Sequence, residues 1–160
     1  MPDAVMVAAC RTAIGTARRG SLVDADPFDL ARHTVAAAVT RSGLAPELFD
    51  EVILGAALAG GGEIARYAAI QAGLIDVAGT AMNRHCASGL AAVSSAAASI
   101  RGGMDRAVVA GGVQSMSLSP RTARRVPGTD EWDDGWMSPS HPNSAEAPNM
   151  GLLPCAPVAA

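Results

Sequence analysis

Residues 78–101 read AGTAMNRHCASGLAAVSSAAASIR, and this stretch decides which fold the chain is expected to adopt. The segment up to Arg84 predicts a strand, and Cys86 to Arg101 predicts a helix of small and apolar residues with no polar face. Cys86 stands at the junction. A cysteine at the start of a helix lies at the positive end of the helix dipole, which favours the nucleophilic thiolate. The stretch therefore indicates an α/β fold with Cys86 as a candidate nucleophile.

The rest of the chain alternates short apolar runs with segments of helical periodicity. The predicted strands are Ala4–Ala9, Glu51–Leu54, Ala78–Arg84 and Asp105–Ala110. The predicted helical segments are Pro27–Ser42, the short turn Pro46–Phe49, Glu63–Ala72 and Cys86–Arg101. This alternation predicts a mainly parallel sheet with helices on both faces. The last helix is apolar all round, which predicts that it is buried all round.

Two residue types mark the ends of the first helix. Asp26 precedes Pro27, which is a typical pairing of an N-cap residue with proline at the first helical position. Gly43 is the kind of residue that ends a helix in a left-handed conformation. The sequence therefore predicts a helix with both ends defined locally.

Charge and composition exclude some classes of protein. The net charge is −3, and nucleic-acid binding requires a basic face, so no nucleic-acid partner is expected. Charged residues make up 17 %, against about 25 % in typical globular domains. The low charge predicts that much of the surface is covered by further chain or by a partner.

The cysteines and the hydropathy pattern bear on metal binding and location. Cys10, Cys86 and Cys155 have no spacing typical of a metal site, so no metal is expected. An odd cysteine count without a secretory leader favours the cytoplasm. No uncharged apolar run reaches about 18 residues, so no membrane span is expected.

Residues Met82–Ile100 carry a specific pattern. It runs aliphatic, Asn, two free positions, Cys-Ala-Ser-Gly-Leu, one free position, Ala-Val, six free positions and Ile. This resembles the acyl-enzyme signature of the thiolases, which comprise acetyl-CoA acetyltransferases and 3-ketoacyl-CoA thiolases. Three further segments resemble family motifs in the same order: Arg11–Gly15, Glu63–Arg66 and Gly111–Ser117, the last with Gln114 where Glu is commoner. The resemblance extends over about residues 4 to 142.

The resemblance implies a fold and a chemistry. It implies a thiolase-like N-terminal half at residues 1–119, the beginning of a loop domain at 120–150, and an atypical tail at 151–160. It makes Cys86 the nucleophile that takes an acyl group from acyl-CoA as a thioester, with helix-start amides holding the carbonyl. Coenzyme A thioesters are then substrates, no cofactor is bound, and the full-length protein is a homo-oligomeric transferase of fatty-acid or lipid metabolism.

The chain also departs from the family pattern. Thiolases use a His from a Gly-His-Pro motif and a second Cys, both in a C-terminal half, and this chain ends before either. His141-Pro142 follows Ser140 rather than Gly and comes too early, and Cys155 lacks the glycines of the second motif. A truncated enzyme, incomplete for turnover, is therefore expected. The alternatives are a non-catalytic fragment or subunit that needs a separate C-terminal half and, more weakly, a ketosynthase of the same fold.

Three other features receive structural interpretations. Cys10 follows a predicted strand and is interpreted as a packing residue. His85 is adjacent to Cys86 on a predicted extended strand, so its ring is expected to point away from the thiol. Gly60–Gly62 lack the Lys-Ser/Thr of a phosphate-binding loop and are interpreted as a plain loop.

Overall fold

The computed structural model describes residues 3–58 and 63–135. The chain divides into two compact units, Met1–Pro120 and Arg121–Ala160. The first unit contains three helices and a parallel sheet among its described residues: α1 (Pro27–Ser42), a 3₁₀ turn (Pro46–Leu48), β1 (Glu51–Gly55), α2 (Glu63–Gln71), β2 (Ala78–Met82), α3 (Ser88–Gly102) and β3 (Val108–Gly112). In the second unit, β4 (Arg124–Arg125) and β5 (Trp132–Asp133) form a small antiparallel ribbon.

The sheet of the first unit has the strand order β2-β1-β3, and both pairings are parallel. Gly55, the last residue of β1, is in register with Met82 on one side and Gly112 on the other. The carboxyl ends of all three strands therefore lie at one edge of the sheet. The segment that contains Cys86 leaves β2 at this edge, so the sheet topology places the candidate nucleophile there.

Alternation along β1 divides the core between the two faces of the sheet. Val52 and Leu54 belong to a buried cluster with residues of α1 and α2, whereas Ile53 belongs to a second cluster with Ala92 and Ala96 of α3. Successive side chains of a strand point to opposite faces, so this division follows from the strand itself. The prediction of a parallel α/β sheet with helices on both faces is confirmed.

The caps of α1 form where the sequence predicts them. The side chain of Asp26 accepts a hydrogen bond from the backbone N–H of Phe28 at 2.7 Å, and Pro27 occupies the first turn. Gly43 ends the helix at φ 68°, in the left-handed region that glycine adopts at low cost. Local capping therefore accounts for both ends of α1.

The prediction of a buried first strand is wrong for this structure. Residues 4–9 form no ladder, and the side chains of Val5, Met6 and Val7 are 73 %, 75 % and 61 % exposed. A cavity of about 770 Å³ is bounded by residues 4–17, by β3 and by parts of α1 and α3. A continuous apolar run indicates a strand that is covered on both faces, and the described residues do not supply that cover.

The predicted bounds and burial of the last helix also need correction. α3 begins at Ser88, not at Cys86, and it is buried along one face only, through Ser88, Ala91, Ala92 and Ala96. Leu90 is 72 % exposed, and Ser94 and Ala98 are also exposed. An apolar surface is buried only where another element covers it, and α3 packs against β1 and β3 on a single side. Among the described residues, no helix has the length and apolar character needed to span a membrane.

The strand ends differ from the predictions by a few residues. β2 ends at Met82 rather than Arg84, and β3 runs Val108–Gly112 rather than Asp105–Ala110. β3 includes Gly111 and Gly112, which lie beyond the predicted end, because β1 continues to pair with the strand through Gly112.

Candidate functional site

Cys86 lies in the connection between β2 and α3, two residues before the helix begins. Its thiol is free and exposed. Ala87 is the N-cap residue of α3 and makes no side-chain hydrogen bond to the helix. No side chain of the capping residue therefore offsets the partial positive charge of the helix start, and this charge favours an anion nearby. The structure places the predicted nucleophile next to a helix N terminus, although just outside the helix.

The backbone around Cys86 forms a tight turn. The N–H of Ala87 donates to the carbonyl of Arg84 at 3.0 Å, and the N–H of Ser88 donates to the carbonyl of His85 at 3.1 Å. His85 has φ 51°, which is uncommon for a residue with a β-carbon. His85 therefore does not lie on an extended strand, and the premise for expecting its ring to point away from Cys86 is wrong. The turn, rather than strand alternation, sets the direction of both side chains.

Two side chains bind the backbone of this turn. Asn83 Oδ1 accepts a hydrogen bond from the N–H of His85 at 2.8 Å, and Asn83 Nδ2 donates to the carbonyl of Ala57 at 3.2 Å. Ser88 Oγ accepts from the N–H of Arg84 at 2.8 Å and donates to the carbonyl of His85 at 2.6 Å. Both residues belong to the signature, but spacing alone does not reveal their partners.

Glycines at the strand ends let the start of α3 approach the sheet. A Cβ atom on Gly55 would lie 2.5 Å from the backbone nitrogen of Gly89, a distance that real Cβ atoms do not show. A Cβ atom on Gly112 would lie 3.1 Å from the Cα of Gly89 and 3.2 Å from the carbonyl oxygen of Gly55. The absence of these side chains allows the helix start to rest directly on the sheet edge. The position of Cys86 therefore depends on β1 and β3 as well as on β2.

Gln114 connects the segments that follow β1 and β3. Its Oε1 accepts a hydrogen bond from the N–H of Leu58 at 3.2 Å, and its Nε2 donates to Ser119 Oγ at 3.1 Å. A glutamate at this position retains the first bond but has no N–H for the second. Gln114 is thus a structural link at the same edge as Cys86, with partners that the sequence alone does not reveal.

The strongest electrostatic pair lies at the other edge of the sheet. Asp50 precedes β1 and accepts hydrogen bonds from the side chain and the backbone N–H of Arg106, at 2.7 Å and 2.6 Å. The side-chain hydrogen bond from Arg106, followed by the backbone bonds, lowers the pKa of Asp50 from 3.8 to about 2. Because Asp50 lies at the amino ends of the strands, we assign this pair to stability rather than to the site.

The other candidate residues lie apart from the turn or outside the described residues. Cys10 is half-buried and its Sγ donates to the carbonyl of Thr34 at 3.4 Å, which agrees with a packing role. Among residues 3–58 and 63–135, no three His, Cys, Asp or Glu side chains form a group that could hold a metal. Predictions for Gly60–Gly62, His141 and Cys155 concern positions outside the described residues.

The chain is similar to known proteins over most of its length. The sequence model of the family described as "Thiolase, N-terminal domain" matches residues 4–142. The acetyl-CoA acetyltransferase of Escherichia coli strain K12 is 42 % identical over 123 residues, which cover 75 % of this chain and 31 % of that protein. The peroxisomal 3-ketoacyl-CoA thiolase 5 of Arabidopsis thaliana is 39 % identical over 158 residues, which cover 95 % of this chain and 32 % of that protein.

A solved structure agrees with these sequence matches. The crystal structure of the Bacillus anthracis acetyl-CoA acetyltransferase superposes with a TM-score of 0.72 at 42 % identity, covering 77 % of this chain and 32 % of that one. The chain thus spans about a third of the length of the relatives it matches.

Proposed function

The chain belongs to the thiolase family, and from this premise we propose that it is the acyl-accepting part of a CoA-dependent acyltransferase, with Cys86 as the acceptor. The observation that carries the proposal is the free, exposed thiol of Cys86 in a tight turn at the uncapped N terminus of α3. A thiolate there has the partial positive charge of the helix nearby and is open to a substrate.

The proposed step is a transthioesterification. The Cys86 thiolate attacks the carbonyl carbon of an acyl-CoA thioester, and the new S–C bond forms as the bond from carbon to the coenzyme A sulfur breaks. The coenzyme A thiolate leaves and takes up a proton from solvent. Coenzyme A thioesters are substrates in this scheme, and neither a bound cofactor nor a metal takes part.

The complete reaction of the family joins or splits a carbon–carbon bond, and we propose this reaction for a full-length form. It is the thiolytic cleavage of 3-ketoacyl-CoA or the condensation of two acyl-CoA units, in fatty-acid or related lipid metabolism. That half of the reaction needs a base and donors for an enolate, which the family takes from its C-terminal half. We therefore propose that these 160 residues accept an acyl group without completing turnover.

The exposed face of α3 favours a second candidate function, that of a non-catalytic fragment or a subunit that pairs with a separate C-terminal half. Leu90 is 72 % exposed only four residues after Cys86, and Val5, Met6 and Val7 expose further apolar surface. Exposed apolar side chains along a helix face fit a surface that another chain covers. In this alternative, the complementary chain covers α3 and supplies the groups that the second half of the reaction needs.

Partners, location and domain limits are part of the same proposal. We propose that acyl-CoA and coenzyme A are the ligands, that the full-length form is a homo-oligomer without nucleic acid or membrane, and that it acts in the cytoplasm. We also propose an N-terminal α/β domain at residues 1–119, the beginning of a loop domain at 120–150, and an atypical tail at 151–160. The bacterial relative supports the cytoplasmic location, and the low share of charged residues supports association with a further surface.

The decisive experiment is the detection of an acyl-enzyme. The purified chain is incubated with acetyl-CoA and its intact mass is measured, with C86S as the test variant and C10S as the matched control. We expect one acetyl adduct on the wild type and on C10S and none on C86S. An adduct without condensation or thiolysis supports the acyl-accepting role of the isolated chain. If the folded wild-type chain gains no adduct, this contradicts acyl acceptance by the isolated chain. The result then favours the non-catalytic fragment or subunit described above.

A further inference from the structure

The turn that carries Cys86 is held by side chains at both of its ends. Asn83, just after β2, accepts a hydrogen bond from the N–H of His85, and Ser88, at the start of α3, binds the N–H of Arg84 and the carbonyl of His85. Ser88 is only 5 % exposed, so water has little access to compete for its two bonds, whereas the Asn83 bond is exposed. Three backbone groups on the amino-terminal side of Cys86 are therefore bound by two side chains.

The conformation of His85 explains why the turn needs this support. At φ 51° its Cβ atom is crowded by its own backbone, and this region is uncommon for residues other than glycine, although Asn, Asp and His adopt it more often than the rest. The bonds from Asn83 and Ser88 hold the residue there. Because His85 directly precedes Cys86, a change in its backbone conformation would redirect the thiol away from the start of α3.

Asn83 also ties the turn to a neighbouring strand. Its Nδ2 donates to the carbonyl of Ala57, just beyond the end of β1, and the N–H of Ala56 donates to the carbonyl of Met82 at the end of β2. The first bond joins positions 26 residues apart in the sequence. Asn83 therefore sets the turn relative to the sheet edge and not only within its own loop.

We propose that Asn83, together with Ser88, is a positioning residue for the acyl transfer assigned to Cys86. It acts through the backbone of His85 and makes no contact with the substrate in this scheme. Its effect is to hold the Cys86 thiol beside the helix start, next to the partial positive charge of the helix. The inference rests on the proposed function, but the reactivity of the thiol can be measured without any acyl transfer.

A double-mutant cycle tests the inference. The rate of Cys86 alkylation by iodoacetamide is measured by peptide mass spectrometry in the wild type, N83A, H85G and N83A/H85G, with Cys10 in the same sample as the internal reference. We expect N83A to lower the rate of Cys86 alkylation about fivefold, which corresponds to the loss of one hydrogen bond. Glycine reaches φ 51° without the Cβ penalty, so N83A should change the rate less than about twofold in the H85G background.

The cycle separates positioning from a general loss of structure. A merely structural role for Asn83 predicts faster alkylation of the half-buried Cys10 and the same effect of N83A in both backgrounds. Either result overturns the inference, as does a Cys86 rate that N83A leaves unchanged or increases. If N83A does not fold, S88A replaces it in the same cycle, and S88T, which retains the hydroxyl, is expected to recover the wild-type rate.

The outcome is independent of the acyl-enzyme experiment. Suppose that acetyl-CoA gives an adduct on the wild type, but Cys86 is alkylated at the wild-type rate in both N83A and S88A. The positioning role is then wrong and the proposed function stands. If no adduct forms but the cycle shows the expected coupling, the proposed function fails for this chain, and the two residues still control the thiol.

Discussion

Gly55, the last residue of β1, lies directly against the backbone of Gly89 in the first turn of α3. A Cβ atom at Gly55 would lie 2.5 Å from the Gly89 nitrogen, and the helix backbone cannot yield as a flexible side chain could. This contact sets the distance between the sheet edge and the helix start, and therefore the height of the Cys86 turn above the sheet.

The close contact predicts that G55A is destabilising. The added methyl group must displace α3 or distort β1, which typically costs about 1–3 kcal/mol of unfolding free energy. The measurement is urea denaturation followed by circular dichroism. G102A is the matched control, because a Cβ atom at Gly102 in the same helix meets no atom within 4 Å. We expect G102A to be neutral or to stabilise by up to about 1 kcal/mol, and equal losses in both variants would contradict the close-contact explanation.

The pair of Asp50 and Arg106 predicts a pH dependence of stability. The pKa of Asp50 is lowered from 3.8 to about 2 in the fold, so its carboxylate stabilises the native state above about pH 4 and loses this effect as the pH falls towards 2. Since the side chain of Arg106 is 68 % exposed, solvent screening keeps this contribution small.

The pH effect is measured by comparing the urea denaturation of the wild type and D50N between pH 2 and pH 6. We expect D50N to be less stable near pH 6 and the difference to shrink as the pH approaches 2. D76N serves as the control, because Asp76 is exposed and has no hydrogen-bond or ion-pair partner among the residues that the structure describes. A difference that stays constant over the whole range would argue against titration of Asp50.

Gln114 is predicted to protect the amide of Leu58. Its Oε1 accepts that N–H at 3.2 Å, so Q114A should increase hydrogen exchange at Leu58 about fivefold, as expected for the loss of one hydrogen bond. Q114E keeps an acceptor oxygen and should change the exchange rate less than about twofold. Equal protection in Q114A and the wild type would show that the bond does not hold this segment in solution.

Leu90 is predicted to make the isolated chain bind hydrophobic dyes and self-associate. It is 72 % exposed, and the neighbouring exposed positions of α3 are Ser or Ala, so no charge interrupts the patch before Arg101. We expect L90Q to reduce dye fluorescence and the sedimentation of oligomers. M104Q removes a side chain that is 82 % exposed beyond the end of α3 and should have a smaller effect. A monomeric wild type with a sharp unfolding transition and no dye binding would contradict the exposed patch.

Of the helices, α1 was predicted most accurately, because residues at its own ends define its bounds. Asp26, Pro27 and Gly43 act on neighbouring backbone groups, so their effect depends only on residues that are adjacent in the sequence. The bounds of α3 were less accurate, because two residues of the predicted helix, Cys86 and Ala87, belong to a turn closed by hydrogen bonds. Histidine is among the residue types that tolerate the left-handed region, but the type of His85 alone does not identify the turn, which Asn83 and Ser88 hold through hydrogen bonds.

The prediction of a strand at residues 4–9 was wrong for a different reason. Apolar composition shows that a segment favours burial, but a parallel strand forms only where a neighbour offers a free edge in register. That information is distant in the sequence, and in this structure the segment bounds a cavity beside β3 without forming a ladder with it.

The sequence by itself determined the family and the order of strands and helices from α1 to β3, and it made Cys86 the candidate nucleophile, because these depend on residue types at fixed spacings. Tertiary structure alone decided what surrounds that cysteine. Asn83 meets Ala57, Gly55 meets Gly89, and Gln114 meets Leu58 only because three parallel strands end at one edge of the sheet. It also decided that one face of α3 is exposed, since burial is a property of the neighbours of a helix and not of its own composition.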